Sequence, residues 1–348
     1  MAYESLANKY RPKEFSDVVS QEAIVSILKN QIENETFPHF FLFTGPAGTG
    51  KTTLARIVAK KINKNDKYDP IEIDGASHNR VEEIREVIEG AKQKSLISQY
   101  KVYIIDECHM LTTQSQNALL KTLEECPPYT IFIMATTDPQ KILPTIVSRA
   151  QVYKINKIPT KEIFNRLKYV CEQENLTNVQ ENAIMYIAQL AKGGMRDALS
   201  KLDMCISLDK NLTIDNIVKV LGLSDNQING DLLYSIYDIM VNDKQEEVEA
   251  SKKCVIQILE KLYNSGKDIK LFMNQFYQYI LDITKCKLFN SALNTDLILN
   301  DQLKKDIEYY KLPELEKILK KVLDILQNTK NESNPLNLIE GLLILKGE

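Results

Sequence analysis

The chain has 348 residues, more than the roughly 250–300 at which a single core stops growing, so two or three domains are expected. It is 44% hydrophobic and 26% charged, which excludes an intrinsically disordered chain, and its apolar runs are far shorter than the about 20 residues of a membrane span. Lys+Arg of 44 against Asp+Glu of 47 gives a net charge of -3, which excludes a strongly basic nucleic-acid binder as a description of the whole chain but leaves room for a local basic surface.

The start, Met1-Ala2-Tyr3-Glu4-Ser5, has no basic region followed by an apolar stretch, so it does not read as a secretory signal, and a cytoplasmic protein is expected. The six cysteines, Cys108, Cys126, Cys171, Cys205, Cys254 and Cys286, form no C-x2-C pair. None lies near His39, His78 or His109 at zinc-ligand spacing, so reduced thiols are expected rather than a disulfide framework.

In chain order, the first part alternates strands with helices. His39–Thr44 is an apolar run that ends in a glycine-rich loop, and Lys51–Ile62 follows with Leu54, Ile57 and Val58 at helical spacing. Ile71–Asp74 reads as a short strand, and Val81, Ile84, Val87, Ile88 and Ala91 mark one helical face. Lys101–Asp106 reads as a buried strand, a helix begins near Thr113, and Thr130–Ala135 and Gln151–Ile155 read as further strands. This alternation predicts a parallel sheet covered by helices on both faces. Nine of the 11 prolines precede residue 160, and after Gly230 only three glycines remain, so the rest of the chain is predicted to be nearly all helical. Gly193-Gly194 falls between two helices, and Gly222–Asn226 is a polar break.

Gly45-Pro46-Ala47-Gly48-Thr49-Gly50-Lys51-Thr52 matches G-x-x-x-x-G-K-[ST] between a strand and a helix. Its glycines let backbone N–H groups face phosphate oxygens, Lys51 adds a point charge, and the Thr52 hydroxyl is a magnesium ligand. Asp106-Glu107 ends an apolar strand 55 residues beyond Lys51. Neighbouring parallel strands would carry both motifs to one nucleotide, with Asp106 on the metal and Glu107 orienting or deprotonating the attacking water. Thr136-Thr137-Asp138, Ser148-Arg149, Gly194-Met195-Arg196-Asp197 and Tyr10-Arg11-Pro12 are candidates for sensing the γ-phosphate, stabilising its charge or packing on the base. Spacing alone does not choose among them.

Together these segments, with Val18–Glu22, Ile71–Ser77, Asp106–Leu111, Asn117–Glu125 and Ala135–Lys141, closely resemble the bacterial DNA polymerase III clamp-loader ATPase family, gamma/tau, of the AAA+ class. The resemblance is densest from Lys9 to Leu202. It implies an α/β P-loop AAA+ domain, a small helical lid and an all-helical collar, here 1–157, 158–222 and 223–348. It implies ATP and Mg²⁺ as cofactors. The P-loop with Thr53, and Tyr10, Arg11 and Pro12, would bind the nucleotide. Thr137 takes the place of sensor 1, Arg196 that of sensor 2, and Arg149 that of an arginine reaching the neighbouring subunit's ATP. Lys121 would face the DNA backbone inside the ring. The implied partners are delta- and delta-prime-like subunits, further gamma copies, the sliding clamp and primed DNA, with no membrane.

Three departures stand out. The family's four-cysteine zinc module has no counterpart, because Lys60–Pro70 contains no cysteine, so zinc is not expected. The S-R-C motif reads Ser148-Arg149-Ala150. The chain ends at Glu348 without a long tau-type tail, so the short form is expected. The loop without cysteines also resembles the small subunits of replication factor C, which stand as an alternative. A helicase-type motor is the weaker one: Asp106-Glu107-Cys108-His109 spells a DExH box, but the helical second half offers no second motor domain.

Overall fold

The computed structural model of the chain describes residues 3–64, 69–222, 226–289, 301–329 and 335–344. Parts of two sequence features therefore lie outside the described residues: 65–68 of the cysteine-free interval and 223–225 of the polar break.

Five strands form one sheet: β1 (Phe40–Thr44), β2 (Ile71–Asp74), β3 (Lys101–Asp106), β4 (Thr130–Thr136) and β5 (Gln151–Lys154). Their order is β2-β3-β4-β1-β5 and every pairing is parallel. Each strand matches an expected run to within one residue at either end. The apolar runs are continuous because both faces are covered. Phe41, Phe43, Val102, Ile104, Ile131 and Ile133 pack on one side with Leu54, Ile57 and Val58 of α3 (Lys51–Ile62). Phe40, Leu42, Tyr103, Ile105, Phe132 and Met134 pack on the other. There they meet Ile84 of α4 (Val81–Ala91) and Leu119 and Leu123 of α5 (Thr113–Glu124). Each fully buried side chain of this size contributes about 1.5–3 kcal/mol, which fixes the frame that carries the polar edge.

One expectation needs correction. The strands that lead to the two motifs, β1 and β3, are not neighbours, because β4 lies between them. The registers Thr44 opposite Thr136 and Ile105 opposite Met134 bring all three strand ends to the same edge. The Thr136-Thr137 pair thus stands between the glycine loop and the acidic pair.

Sequence reading did not delimit α1 (Leu6–Lys9), α2 (Glu22–Glu33) or α6 (Pro144–Val147). The helical segment beyond the sheet consists of α7 (Thr160–Gln173), α8 (Glu181–Leu190), α9 (Met195–Leu208) and α10 (Ile214–Val220). The chain divides into two compact units, residues 1–176 with 187–203, and residues 177–186 with 204–348. The segment 158–222 contributes to both.

The second unit carries α11 (Asn226–Val241), α12 (Gln245–Asn264), α13 (Ile269–Phe289), α14 (Asp301–Tyr309), α15 (Leu312–Asn328) and α16 (Pro335–Ile344). Leu315, Ile318, Val322 and Ile325 of α15 form one buried stripe at three- and four-residue spacing, and Phe272, Met273 and Phe276 of α13 share that core. Among the described residues no helix is long and apolar enough to cross a membrane.

Candidate functional site

The glycine loop between β1 and α3 sits at the carboxyl edge of the sheet. Gly45 has φ 150, and a Cβ there would lie 2.2 Å from the Ile155 carbonyl oxygen, so no larger residue fits. Gly50 precedes α3 in a left-handed conformation and leaves the loop N–H groups at a helix N-terminus. Lys51 is buried, 5% exposed. Its Nζ donates to the carbonyls of Gly45 and Pro46, both at 2.9 Å. Burial lowers the Lys51 pKa, and the nearby Glu107 and Asp106 carboxylates oppose that shift.

The Thr52 hydroxyl donates to Asp106 Oδ2 at 2.6 Å, joining the loop to the end of β3. The other carboxylate oxygen, Oδ1, accepts from the Glu107 N–H at 2.9 Å. A hydroxyl and a carboxylate in contact are hard oxygen donors of the kind magnesium takes, with water and substrate phosphates completing its shell. Among the described residues no group of three His, Cys, Asp or Glu could hold a metal. Glu107 itself adopts the left-handed region, φ 44 and ψ 42. Its Oε2 lies 3.1 Å from the Thr137 hydroxyl, which donates, and 3.2 Å from His109 Nδ1. His109 Nδ1 also lies 3.2 Å from Thr136 Oγ1.

A cavity of about 960 Å³ brings most of the expected residues together. Tyr10, Arg11, Pro12, Ala47 through Thr53, Asp106, Glu107 and Arg196 all line it. Gly45 and Pro46 form the loop's entry and meet Lys51 through their carbonyls. The start of α9 closes against the glycine loop, since the Arg196 N–H donates to the Gly48 carbonyl at 3.4 Å. Val18, Val19, Ile158, Met195 and Leu199 supply apolar wall, and Arg56 and Arg166 add charge. The Arg11 pKa is lowered by burial and by the guanidinium groups of Arg56 and Arg196. A cavity with this cationic density and an apolar flank can hold a polyphosphate and a flat base together.

The N-terminal segment is fixed to α7. Tyr10 Oη donates to Glu174 Oε1 at 2.5 Å, Lys9 Nζ donates to the same oxygen at 2.7 Å, and Arg166 donates to the Tyr10 carbonyl at 3.2 Å. Burial and Glu174 push the Tyr10 phenol up to about 12.

Two expected residues stand apart from the cavity. Arg149 bonds the Thr145 carbonyl at 2.9 Å and pairs with Glu124 at 3.2 Å. Lys121 is exposed on α5. Sequence reading missed Arg56, Arg166 and Glu174, which carry no local motif. It also missed Gln116, which is buried and joins Leu111, Lys141 and Leu143 by three hydrogen bonds. Sequence reading weighed His109 as a zinc ligand and as part of a DExH box, but not as a partner of Glu107, which stands two residues before it.

Residues 162–210 match the family described as the DNA polymerase III clamp loader subunit, ATPase lid domain, and residues 60–159 match the one described as DNA polymerase III, delta subunit. The DNA polymerase III subunit tau of Bacillus subtilis is 36% identical over 95% of this chain. This chain spans 60% of that relative's length. The DNA polymerase III subunit gamma of Buchnera aphidicola subsp. Schizaphis graminum is 34% identical, with 87% of this chain and 86% of the relative covered. The chain belongs to the DNA polymerase III gamma/tau family. Relatives of the gamma/tau family, rather than replication factor C, carry the likeness, so the alternative reading gains no support. The solved structure of the Thermotoga maritima RuvB Holliday junction branch migration motor matches 65% of this gamma/tau chain, and 79% of its own, at TM-score 0.51 and 18% identity. At that identity the likeness is one of fold, the AAA+ fold of a parallel sheet with helices on both faces.

Proposed function

We propose that this chain is the ATPase subunit of a replication clamp loader, binding and hydrolysing ATP to open a sliding clamp and load it onto primed DNA. The observation that carries the reading is the 2.6 Å bond between Thr52 and Asp106, which joins the glycine loop and the acidic pair in the one cavity that Arg196 also lines. In this reading the loop N–H groups and Lys51 hold the phosphates, and Tyr10, Arg11 and Pro12 hold the base side. Thr52 and Asp106 hold the magnesium ion, which supplies neutralisation of charge on the β- and γ-phosphate oxygens. Glu107 takes a proton from the attacking water, Thr137 orients Glu107, and Arg196 contacts the γ-phosphate.

Arg149 acts on the neighbouring subunit's ATP in this reading. Its place outside the cavity, bonded to Glu124 and Thr145, supports that assignment. ATP then bridges neighbours, and loss of the γ-phosphate weakens the interface and releases the clamp. The segments 1–157, 158–222 and 223–348 serve as ATPase domain, lid and collar. The partners are other clamp-loader subunits, further copies of this chain, the clamp and primed DNA, in the cytoplasm. Lys121 meets DNA phosphates without reading bases.

The test is ATP hydrolysis by the chain assembled with its companion subunits, with and without clamp and primed DNA. Stimulation by clamp plus primed DNA, lost in Glu107→Gln and in Arg149→Ala, is the expected result. Hydrolysis indifferent to the clamp and unchanged in Arg149→Ala would overturn the reading.

A further inference from the structure

We infer that His109 is a positioning residue for Glu107, an inference that rests on the reading of Glu107 as the base for ATP hydrolysis. Three constraints meet on Glu107. Its backbone is left-handed, an arrangement that is strained for a non-glycine residue and persists only where the surroundings enforce it. The surroundings are tight: a Cβ on Gly75 would lie 2.7 Å from the Glu107 carbonyl oxygen. Two groups then converge on a single carboxylate oxygen: the Thr137 hydroxyl donates to Oε2 at 3.1 Å, and His109 Nδ1 stands 3.2 Å from it.

His109 Nδ1 is hydrogen-bonded to Thr136 Oγ1 at 3.2 Å, and that oxygen also accepts from the Asp138 N–H at 3.0 Å, so the ring is held with its edge against Oε2 of Glu107. The His109 side chain is only 12% exposed, so water competes weakly for the place it fills. Among the described residues Oε1 accepts no hydrogen bond. One oxygen is pinned, and the other is left to take the proton from water. As that water's oxygen bonds the γ-phosphorus and the bridging P–O bond to ADP breaks, its proton passes to Oε1 and later to solvent. Without His109, the side of Oε2 that the ring fills is open, and the carboxylate samples orientations in which neither oxygen meets the water.

His109 sits in the short turn Cys108–Met110 that leads into α5, the helix that bears Lys121. A shift of that helix would therefore be felt at Glu107 through the ring.

The experiment compares His109→Ala, His109→Asn and Glu107→Gln in the assembled clamp loader, measuring kcat and KM for ATP. His109→Ala is expected to lower kcat about tenfold or more, a part of the 10²–10⁴-fold that a positioned base supplies, with KM unchanged. His109→Asn, whose amide nitrogen stands where Nδ1 does, is expected to restore most of kcat. A merely structural role would lower thermal stability and raise KM in both variants, and that result would overturn the inference. So would a kcat unchanged or raised in His109→Ala. If Glu107→Gln itself hydrolyses ATP at the normal rate, the base assignment fails, and the inference about His109 falls with it.

Discussion

The edge of the sheet and the helical second unit are built by opposite rules. At the edge, Thr52, Asp106, Glu107 and Thr137 touch through their functional atoms, and each is irreplaceable in type because a hydroxyl or a carboxylate is what the neighbour needs. In the second unit, Leu233, Leu259, Phe276 and Val322 meet as shapes alone, and any apolar side chain of similar volume satisfies the packing. Polar contacts also enter that core, among them Tyr279 donating to Asp306, and burial pushes the Tyr279 phenol well above the usual tyrosine range. Chemistry therefore constrains residue identity in the first region, and volume constrains it in the second.

Four substitutions test that contrast. The largest effect belongs to Glu107→Gln, which keeps shape and removes the proposed base. ATP hydrolysis should fall about 10²–10⁴-fold while equilibrium nucleotide binding remains. Survival of more than a tenth of the rate would mean that shape suffices at the edge as well. Next comes Phe276→Ala, which empties the second unit's core. It should lower unfolding free energy by about 3–5 kcal/mol, read as a fall in the denaturant midpoint. Leu315→Met, nearly equal in volume, should shift the same midpoint by less than about 1.5 kcal/mol and leave hydrolysis unchanged. Smallest of all is the stability effect of Glu124→Gln. It removes a half-exposed ion pair with Arg149 and should change stability by at most about 1 kcal/mol.

The same contrast explains what the sequence made legible. The strands could be read from Phe40–Phe43, Val102–Ile105 and Ile131–Met134 because two covered faces leave uninterrupted apolar runs. The glycine loop could be read because Gly45, Gly48 and Gly50 all need positive φ, a demand visible in the residue type. The order of strands could not, since nothing local says that β4 separates β1 from β3. Nor could the pairing of Glu124 with Arg149 or of Tyr10 with Glu174, which depends on segments distant in sequence. Thr137 and Arg196 stood among four candidate segments, and only the resemblance gave each a role, because the meaning of an isolated residue comes from the loop and carboxylate beside it. In the second unit the scarcity of proline and glycine pointed to helices, while the partners of each helix followed from packing that many sequences would satisfy.

The claim that the site is completed by a neighbour is tested most directly by mixing two inactive variants. Arg149→Ala keeps its own cavity and lacks the arginine proposed to reach the neighbour; Glu107→Gln lacks the proposed base and keeps the arginine. Each is assembled separately, and then together, with the companion subunits, clamp and primed DNA, and ATP hydrolysis is measured. The account predicts that the mixture hydrolyses ATP faster than either variant alone, because some interfaces pair an intact cavity with an intact arginine. A mixture no faster than the average of the two, or an Arg149→Ala assembly as fast as the unaltered protein, would contradict it.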